Sequence, residues 1–178
     1  MTQPVSFHAT SADGSARTGI MDTPHGSVET PSFMAVGTRA SIKTLDTEDM
    51  DRLGAQILLA NTYHLMLRPG EDIVAKLDGL HGFMAWDAPI LTDSGGYQVL
   101  SLRPRISEDT LVFKSTYDGS RIELNPERSV AVQEALGADI AMVLDVPVNL
   151  PVDREIAERS MYQTLRWAER SKTAKTRA

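Results

Sequence analysis

Short apolar runs recur along this chain, and each is closed by glycine or by a polar residue. From Val5 to Thr30, brief polar and apolar stretches alternate around ADG at 12–14 and PHG at 24–26, which predicts a small antiparallel meander acting as a lid or plug. His25, in the second of these turns, reads as a solvated turn residue. Pro31 to Thr38 is the first core-strand candidate. Asp46 offers an N-cap, Glu48 and Asp49 place negative charge in the first helical turn, and Gly54 stops that helix. Ala55 to Leu59 reads as a strand buried on both faces, running out into Asn61, Thr62, Tyr63 and His64. A helix is expected over Glu71 to Leu77, ended by Gly79, and Ile90 to Thr92 forms the third strand.

Beyond Leu102 the alternation is interrupted. Leu111 to Ser115 and Arg121 to Leu124 flank YDGS, which predicts an inserted β-hairpin. Asn125 and Pro126 make a cap-plus-first-turn pair, Val132, Ala135 and Leu136 share a helical face, and Gly137 closes the helix. Asp139 to Leu144 is the fourth strand and ends on Asp145. From Asp153 onward, Ala157, Met161, Leu165 and Ala168 lie on one stripe, which predicts an amphipathic helix laying that stripe on a sheet. Strands alternating with helices indicate parallel βα units, and polar residues recur at the C-terminal ends of strands two, three and four, where α/β proteins place their active sites. A doubly wound sheet and a (β/α)8 barrel both fit this pattern.

Composition narrows the function classes more than the fold. With 178 residues and 42% hydrophobic content, one domain is the expectation, residues 1–178. No run approaches the roughly 20 apolar residues of a transmembrane helix, and no signal peptide opens the chain, so a cytoplasmic location without membrane partners is expected. The sequence contains no cysteine, and its four histidines are scattered without ligand spacing, so no metal ligands are expected within it. A net charge of −6 argues against a protein that coats nucleic acid through a broadly basic surface. Arg166, Arg170, Lys172, Lys175 and Arg177 cluster near the end, where cations complement a helix dipole.

The richest chemistry lies in PILTDSGGYQVLSL, residues 89–102. Asp93, Ser94, Gly95 and Gly96 place an acid, a hydroxyl and two residues without side chains at a strand end, where the backbone can approach a ligand and donate its N–H groups. Tyr97 adds a flat face and Gln98 an amide. An acid beside an aromatic plate can hold a planar, hydrogen-bonding ring such as a nucleobase; the competing reading is an aspartate capping a glycine turn. If the strand ends converge, Asn61, Asp93, Ser94, Tyr97, Gln98 and Asp145 line one rim. Two carboxylates there suit glycosidic bond chemistry, or the bidentate capture of the N1–H and exocyclic amine of guanine. Asn61 serves equally as a turn cap or a substrate contact, and His64 reads as a packed, hydrogen-bonded supporting residue.

Residues 93–98, DSGGYQ, closely resemble the DSGG[YF]Q segment of the tRNA-guanine transglycosylases, and ANTYHLMLRPG at 60–70 resembles a second signature of that family at the family's spacing. The resemblance implies a zinc-containing TIM barrel with an antiparallel N-terminal cap (1–30) and inserted strands, of which residues 31–178 are the first βα units, about four. It implies that Asp93 is a general acid/base and base-recognition residue, that Tyr97 stacks on the bound base, and that Asp145 of MVLD recognises the guanine edge. Ser94, Gly95, Gly96, Asn61 and Gln98 complete the implied substrate-binding set. The implied reaction is base exchange: an aspartate attacks ribose C1′ of a tRNA guanosine, expels guanine, and a 7-deazaguanine such as preQ1 takes its place.

On the same resemblance, the nucleophilic aspartate and the Cys/His zinc site are expected beyond Ala178, and a homodimer is expected of the full-length protein. Val146 and Pro147 follow Asp145 where the family usually carries an acid and often a cysteine, which bears on recognition of the incoming deazaguanine. Two alternatives remain at this point. One is a non-catalytic partner subunit that binds tRNA or deazaguanine, and the other is a DNA-acting, deazaguanine-inserting relative.

Overall fold

The computed structural model describes residues 5–176. The meander expected before Thr30 is present: β1 (Ser6–Asp13), β2 (Ala16–Thr23) and β3 (Gly26–Thr30) form a three-stranded antiparallel sheet in that order. Its inner face docks through Val28, which packs with Ile57 and Leu91 of the neighbouring segments. Burying these apolar side chains together is what attaches the cap to the body of the fold.

The body is a parallel sheet of β4 (Ala35–Gly37), β5 (Leu58–Ala60), β6 (Ile90–Thr92) and β10 (Ile140–Ala141), flanked by helices. Val36 pairs with Leu59, which pairs with Leu91, and Gly37, Ala60, Thr92 and Ala141 follow in the next row. The spatial order is the chain order, with no reversal. The C-terminal ends of β5 and β6 therefore lie side by side.

The strands are shorter than the apolar runs that predict them. The fourth, expected to reach Leu144, ends at Ala141. Met142 donates its N–H to Thr92 O at 3.1 Å and meets no further strand among the described residues. A buried amide takes over the pairing: Gln133 accepts from the Met142 N–H and donates to the Met142 carbonyl, both at 2.9 Å. Gln133 also accepts from Thr92 Oγ1 at 3.0 Å, so one glutamine stitches the last two strands where their ladder stops.

Helix signals were legible at their caps. In α1 (Thr47–Arg52), Asp46 and Asp49 form the reciprocal capping box, with Asp49 N–H donating to Asp46 Oδ1 at 2.8 Å. In α6 (Pro126–Leu136), Asn125 Oδ1 accepts from the Arg128 N–H at 2.8 Å, and Gly137 closes the helix in the left-handed region. Residues 62–67 are not a strand tail but a helix, α2 (Thr62–Leu67). After α3 (Glu71–Lys76), Gly79 does not end a helix; it begins α4 (Gly79–Met84). A Cβ on Gly79 would stand 2.9 Å from the Leu136 carbonyl, so the glycine is there for close approach to the end of α6.

The expected hairpin is β8 (Leu111–Lys114) and β9 (Arg121–Leu124), and β7 (Arg105–Ile106) adds a third antiparallel strand. Its buried face joins Tyr63, Val99, Leu144 and Trp167 in a second core.

The last helix, α7 (Arg154–Ala174), buries a different face from the one expected. Met161 and Leu165 are 49% and 56% exposed, whereas Ser160, Gln163, Trp167 and Ser171 are buried. The reason is what the helix covers. It packs along α6 and sets Trp167 into the second core, and its buried polar groups meet backbone carbonyls at the edge of that core: Gln163 Nε2 and Trp167 Nε1 donate to Ser107 O and Glu108 O at 2.6 and 2.7 Å. Its cations also pair structurally, Arg166 with Glu108 and Arg170 in a two-point contact with Glu127. Arg177 lies outside the described residues.

Candidate functional site

The site forms where β5 and β6 end. Asp93 follows β6, and its carboxylate accepts four hydrogen bonds. Oδ1 takes the N–H groups of Thr62 at 2.8 Å and Gly95 at 3.1 Å. Oδ2 takes the side-chain amides of Asn61 and of Gln98, the latter at 2.9 Å. An ionised carboxylate offers about four acceptor positions, so these donors fill it. Asp93 is held as a fixed acceptor at the head of α2, and releasing one donor opens a position for a ligand or a proton.

Asn61 is the N-cap residue of α2 but caps nothing with its side chain. Of its two sequence readings the turn cap is therefore not met, and its amide nitrogen donates to Asp93. Gln98, on α5 (Gly96–Leu100), donates its amide nitrogen to Asp93, while Oε1 is buried without a partner. That orphaned acceptor belongs to the same amide that holds the acid. A ligand N–H would satisfy it.

Asp145 reaches this rim from the segment after β10. Ser94 Oγ donates to Asp145 Oδ1 at 3.3 Å, and a Cβ on Gly96 would come within 3.0 Å of the same oxygen. Gly95, at φ +83, turns the chain so that its N–H meets Asp93. The two glycines thus differ in function: Gly95 supplies the left-handed turn and Gly96 the space for Asp145. Tyr97 stands at the start of α5 with 73% of its surface exposed, an uncovered flat face next in the chain to these glycines.

His64, within α2, is a supporting residue with an open end. Its Nδ1 is buried without a hydrogen-bond partner, where the sequence reading expected one. Burial holds the His64 pKa below 6.5, the Arg39 charge lowers it further, and Asp93 opposes them both.

The structure therefore gathers Asn61, Asp93, Ser94, Gly95, Gly96, Gln98 and Asp145 at one rim, with Tyr97 projecting from it. Comparison with known proteins identifies the framework. The family model described as "Queuine tRNA-ribosyltransferase" matches residues 12–178. The chain belongs to that family. A queuine tRNA-ribosyltransferase of Thermus thermophilus is 55% identical over 176 residues, 98% of this chain and 46% of the relative. One from Cereibacter sphaeroides is 51% identical over 98% of the chain and 47% of the relative. One from Thermosynechococcus vestitus is 54% identical over 92% and 44%. The chain spans less than half the length of these queuine tRNA-ribosyltransferases.

Sequence reasoning missed a second cluster at the opposite ends of the strands. His25, treated as a solvated turn residue, pairs through Nδ1 with Asp139 Oδ1 at 2.7 Å. His81 Nε2 stands 3.3 Å from Asp139 Oδ2, and that oxygen also accepts the Ile90 N–H at 2.9 Å. The histidines lie far apart in sequence, so spacing gave no sign of them. Burial alone pushes the Asp139 carboxyl up, but His81, His25 and the Ile90 N–H outweigh it and leave its pKa below 3.8.

His25, His81 and Asp139 are the group among the described residues whose ligand atoms lie within 4.8 Å of one another. Their geometry does not fit a metal. The two rings are stacked with centroids 3.6 Å apart and planes 20° from parallel, so their nitrogen lone pairs run side by side instead of converging on one point. The arrangement is a clamp: one buried carboxylate fastens the β2–β3 turn and α4 to the start of β6. The zinc implied by family resemblance finds no cysteine in this chain either. No described helix is long and apolar enough to cross a membrane.

Proposed function

We propose that the intact protein exchanges a guanine base of tRNA, at the wobble position, for a 7-deazaguanine such as preQ1, and that this chain supplies the base-binding rim and the acid/base residue of the reaction. The observation that carries the reading is the meeting of Asp93 and Asp145 around Ser94–Gly96 at the strand ends. Asp145 presents an acceptor edge suited to the N1–H and exocyclic amine of guanine. Gln98 Oε1 offers a further acceptor once the base is in place, and Tyr97 gives the ring a face to stack on.

Asp93 is the acid/base in this reading. Its acceptor positions are filled by amide donors. Entry of a base displaces one of them, and the freed oxygen can then receive or return the proton that moves as the leaving base departs. The nucleophile that forms the covalent link to ribose lies in the remainder of the protein, as does the zinc site. The in-order parallel sheet is then one arc of a (β/α)8 barrel, and the lack of an order reversal among the described strands supports this over a doubly wound sheet. The intact protein acts in the cytoplasm as a homodimer.

Where the family usually has an acid after the base-reading aspartate, Val146 is 9% exposed, and Thr164 Oγ1 and Ser160 Oγ tie down its backbone N–H and carbonyl. An apolar, nearly buried side chain at this position offers no acceptor to a ligand amine. Guanine recognition by Asp145 is therefore retained while the deazaguanine's own amine is read elsewhere. The test is incorporation of labelled guanine into tRNA by the intact protein. Exchange by the wild type and its loss in Asp93→Asn are expected; undiminished exchange by Asp93→Asn overturns the assignment.

A further inference from the structure

We propose that Arg39 and Arg68, laid against the ring of Tyr117, form a phosphate-binding subsite beside the base rim, which takes a backbone phosphodiester of the nucleic acid whose base Asp93 receives. The identity of the ligand rests on the base-exchange reading above. The place of the subsite rests on geometry.

Three separate elements bring the cluster together. Arg39 comes from the loop after β4, Arg68 caps the C-terminal end of α2, and Tyr117 sits in the turn between β8 and β9. The guanidinium carbons lie 5.8 Å and 4.4 Å from the Tyr117 ring centroid. An aromatic face attracts a guanidinium through its quadrupole and leaves the planar N–H edge free for an outside partner. The Tyr117 hydroxyl is buried and makes no hydrogen bond, so the residue is used for its face.

Two cations held on one plate repel each other, and the protein does not neutralise them. Arg52, Arg121, Arg128, Arg166 and Arg170 each lie within 4.0 Å of a carboxylate. Among the described residues neither Arg39 nor Arg68 has such a partner, and unlike Arg17, Arg103, Arg105, Arg154 and Arg159, which also lack one, these two share a single ring. In a chain of net charge −6, two guanidiniums held together on one ring without a carboxylate partner suit an anion from outside. The guanidinium fork matches a phosphodiester's two free oxygens.

The cluster belongs to the same rim as the base site. Helix α2 begins beside Asn61, whose amide holds Asp93, and ends at Arg68, roughly 10 Å further along at about 1.5 Å rise per residue. Tyr63 on α2 and Thr116 beside Tyr117 hydrogen-bond at 3.1 Å, which fastens the hairpin turn to this helix. The charges of Arg39 and of Asp93 both reach His64. A base entering toward Asp93 therefore carries its flanking phosphates past the two guanidiniums.

The experiment measures binding of unmodified tRNA, with guanine at the wobble position, to the intact protein over a range of salt concentrations. In the Arg39→Gln/Arg68→Gln variant the slope of log K against log salt should fall by about two, one for each phosphate no longer neutralised. The Arg39→Lys/Arg68→Lys variant keeps both charges and should keep the slope. Methylphosphonate linkages flanking the guanosine should weaken binding to the wild type and have no further effect on the glutamine variant. Tight tRNA binding with an unchanged slope in the glutamine variant overturns the subsite alone. A wild-type protein that binds no tRNA overturns the base-exchange reading, and the subsite with it.

Discussion

The side-chain amide of Asn61 donates to Oδ2 of Asp93 across the ends of two adjacent parallel strands. Ala60 and Thr92 are paired in the sheet, so the residues that follow them emerge side by side. The register of the sheet thereby aims the carboxylate, and α2 then holds it with the Thr62 N–H.

Replacing that donor with a second acid tests the arrangement. In Asn61→Asp two carboxylates share one site, and each raises the other's proton affinity. Base exchange by the intact protein should fall at neutral pH by at least about tenfold, a charge-assisted hydrogen bond being worth roughly 1.5–3 kcal/mol. A rate equal to the wild type's would show that the Asn61 hydrogen bond does not position Asp93 for the reaction.

Gly96→Ala addresses the second carboxylate. The added Cβ would stand 3.0 Å from Asp145 Oδ1 and 3.1 Å from the Asp145 carbonyl, so Asp145 must retreat. Guanine affinity, read by calorimetry on the intact protein, should fall by about tenfold or more, because a displaced carboxylate can no longer accept both guanine donors. Overpacking of this kind costs typically about 1–3 kcal/mol of stability. Unchanged affinity would place base recognition elsewhere.

The clamp below the sheet predicts an acid-sensitive stability. Asp139 has its pKa below the ordinary 3.8. A depressed carboxylate adds stability that is fully present above the unfolded value and is lost as pH falls from there through the folded value. Wild-type melting temperature should therefore decline as pH drops through 3.8 and below. In Asp139→Asn that part of the decline should disappear, with a loss on the order of 2 kcal/mol already present at neutral pH because His25 and the Ile90 N–H lose a charged acceptor. Parallel stability–pH curves for the two proteins would remove the clamp from the account.

The face of α7 is tested by Trp167→Ala. Trp167 is completely buried and donates to Glu108 O at 2.7 Å, so truncation should cost about 3–5 kcal/mol in chemical denaturation of the intact protein. A cost below about 1 kcal/mol would show that this face is not the one that holds the helix.

Local chemistry made much of this legible. Asp46 and Asn125 start helices because their side chains can accept the first free N–H groups, and that depends on neighbours three residues away. The turns of the cap and the YDGS hairpin were readable for the same reason. DSGGYQ and ANTYHLMLRPG carried the family resemblance in their residues alone, and the family match bears it out.

Features that depend on partners distant in the chain were not legible in this way. The apolar stripe through Met161 and Leu165 looked like the buried face of α7, but side-chain hydrophobicity does not reveal that the covered surface combines an apolar core with the Ser107 and Glu108 carbonyls, which Trp167 and Gln163 can meet. His25, His81 and Asp139 meet only because the cap folds back onto the sheet, and no spacing encodes that meeting. Asn61 became a clamp on Asp93 through strand register. Local elements and the chemical groups at their ends follow from the residues alone, because caps, turns and periodicity act over a few positions. Which of those groups touch was settled by the fold, because contact between distant residues follows from packing.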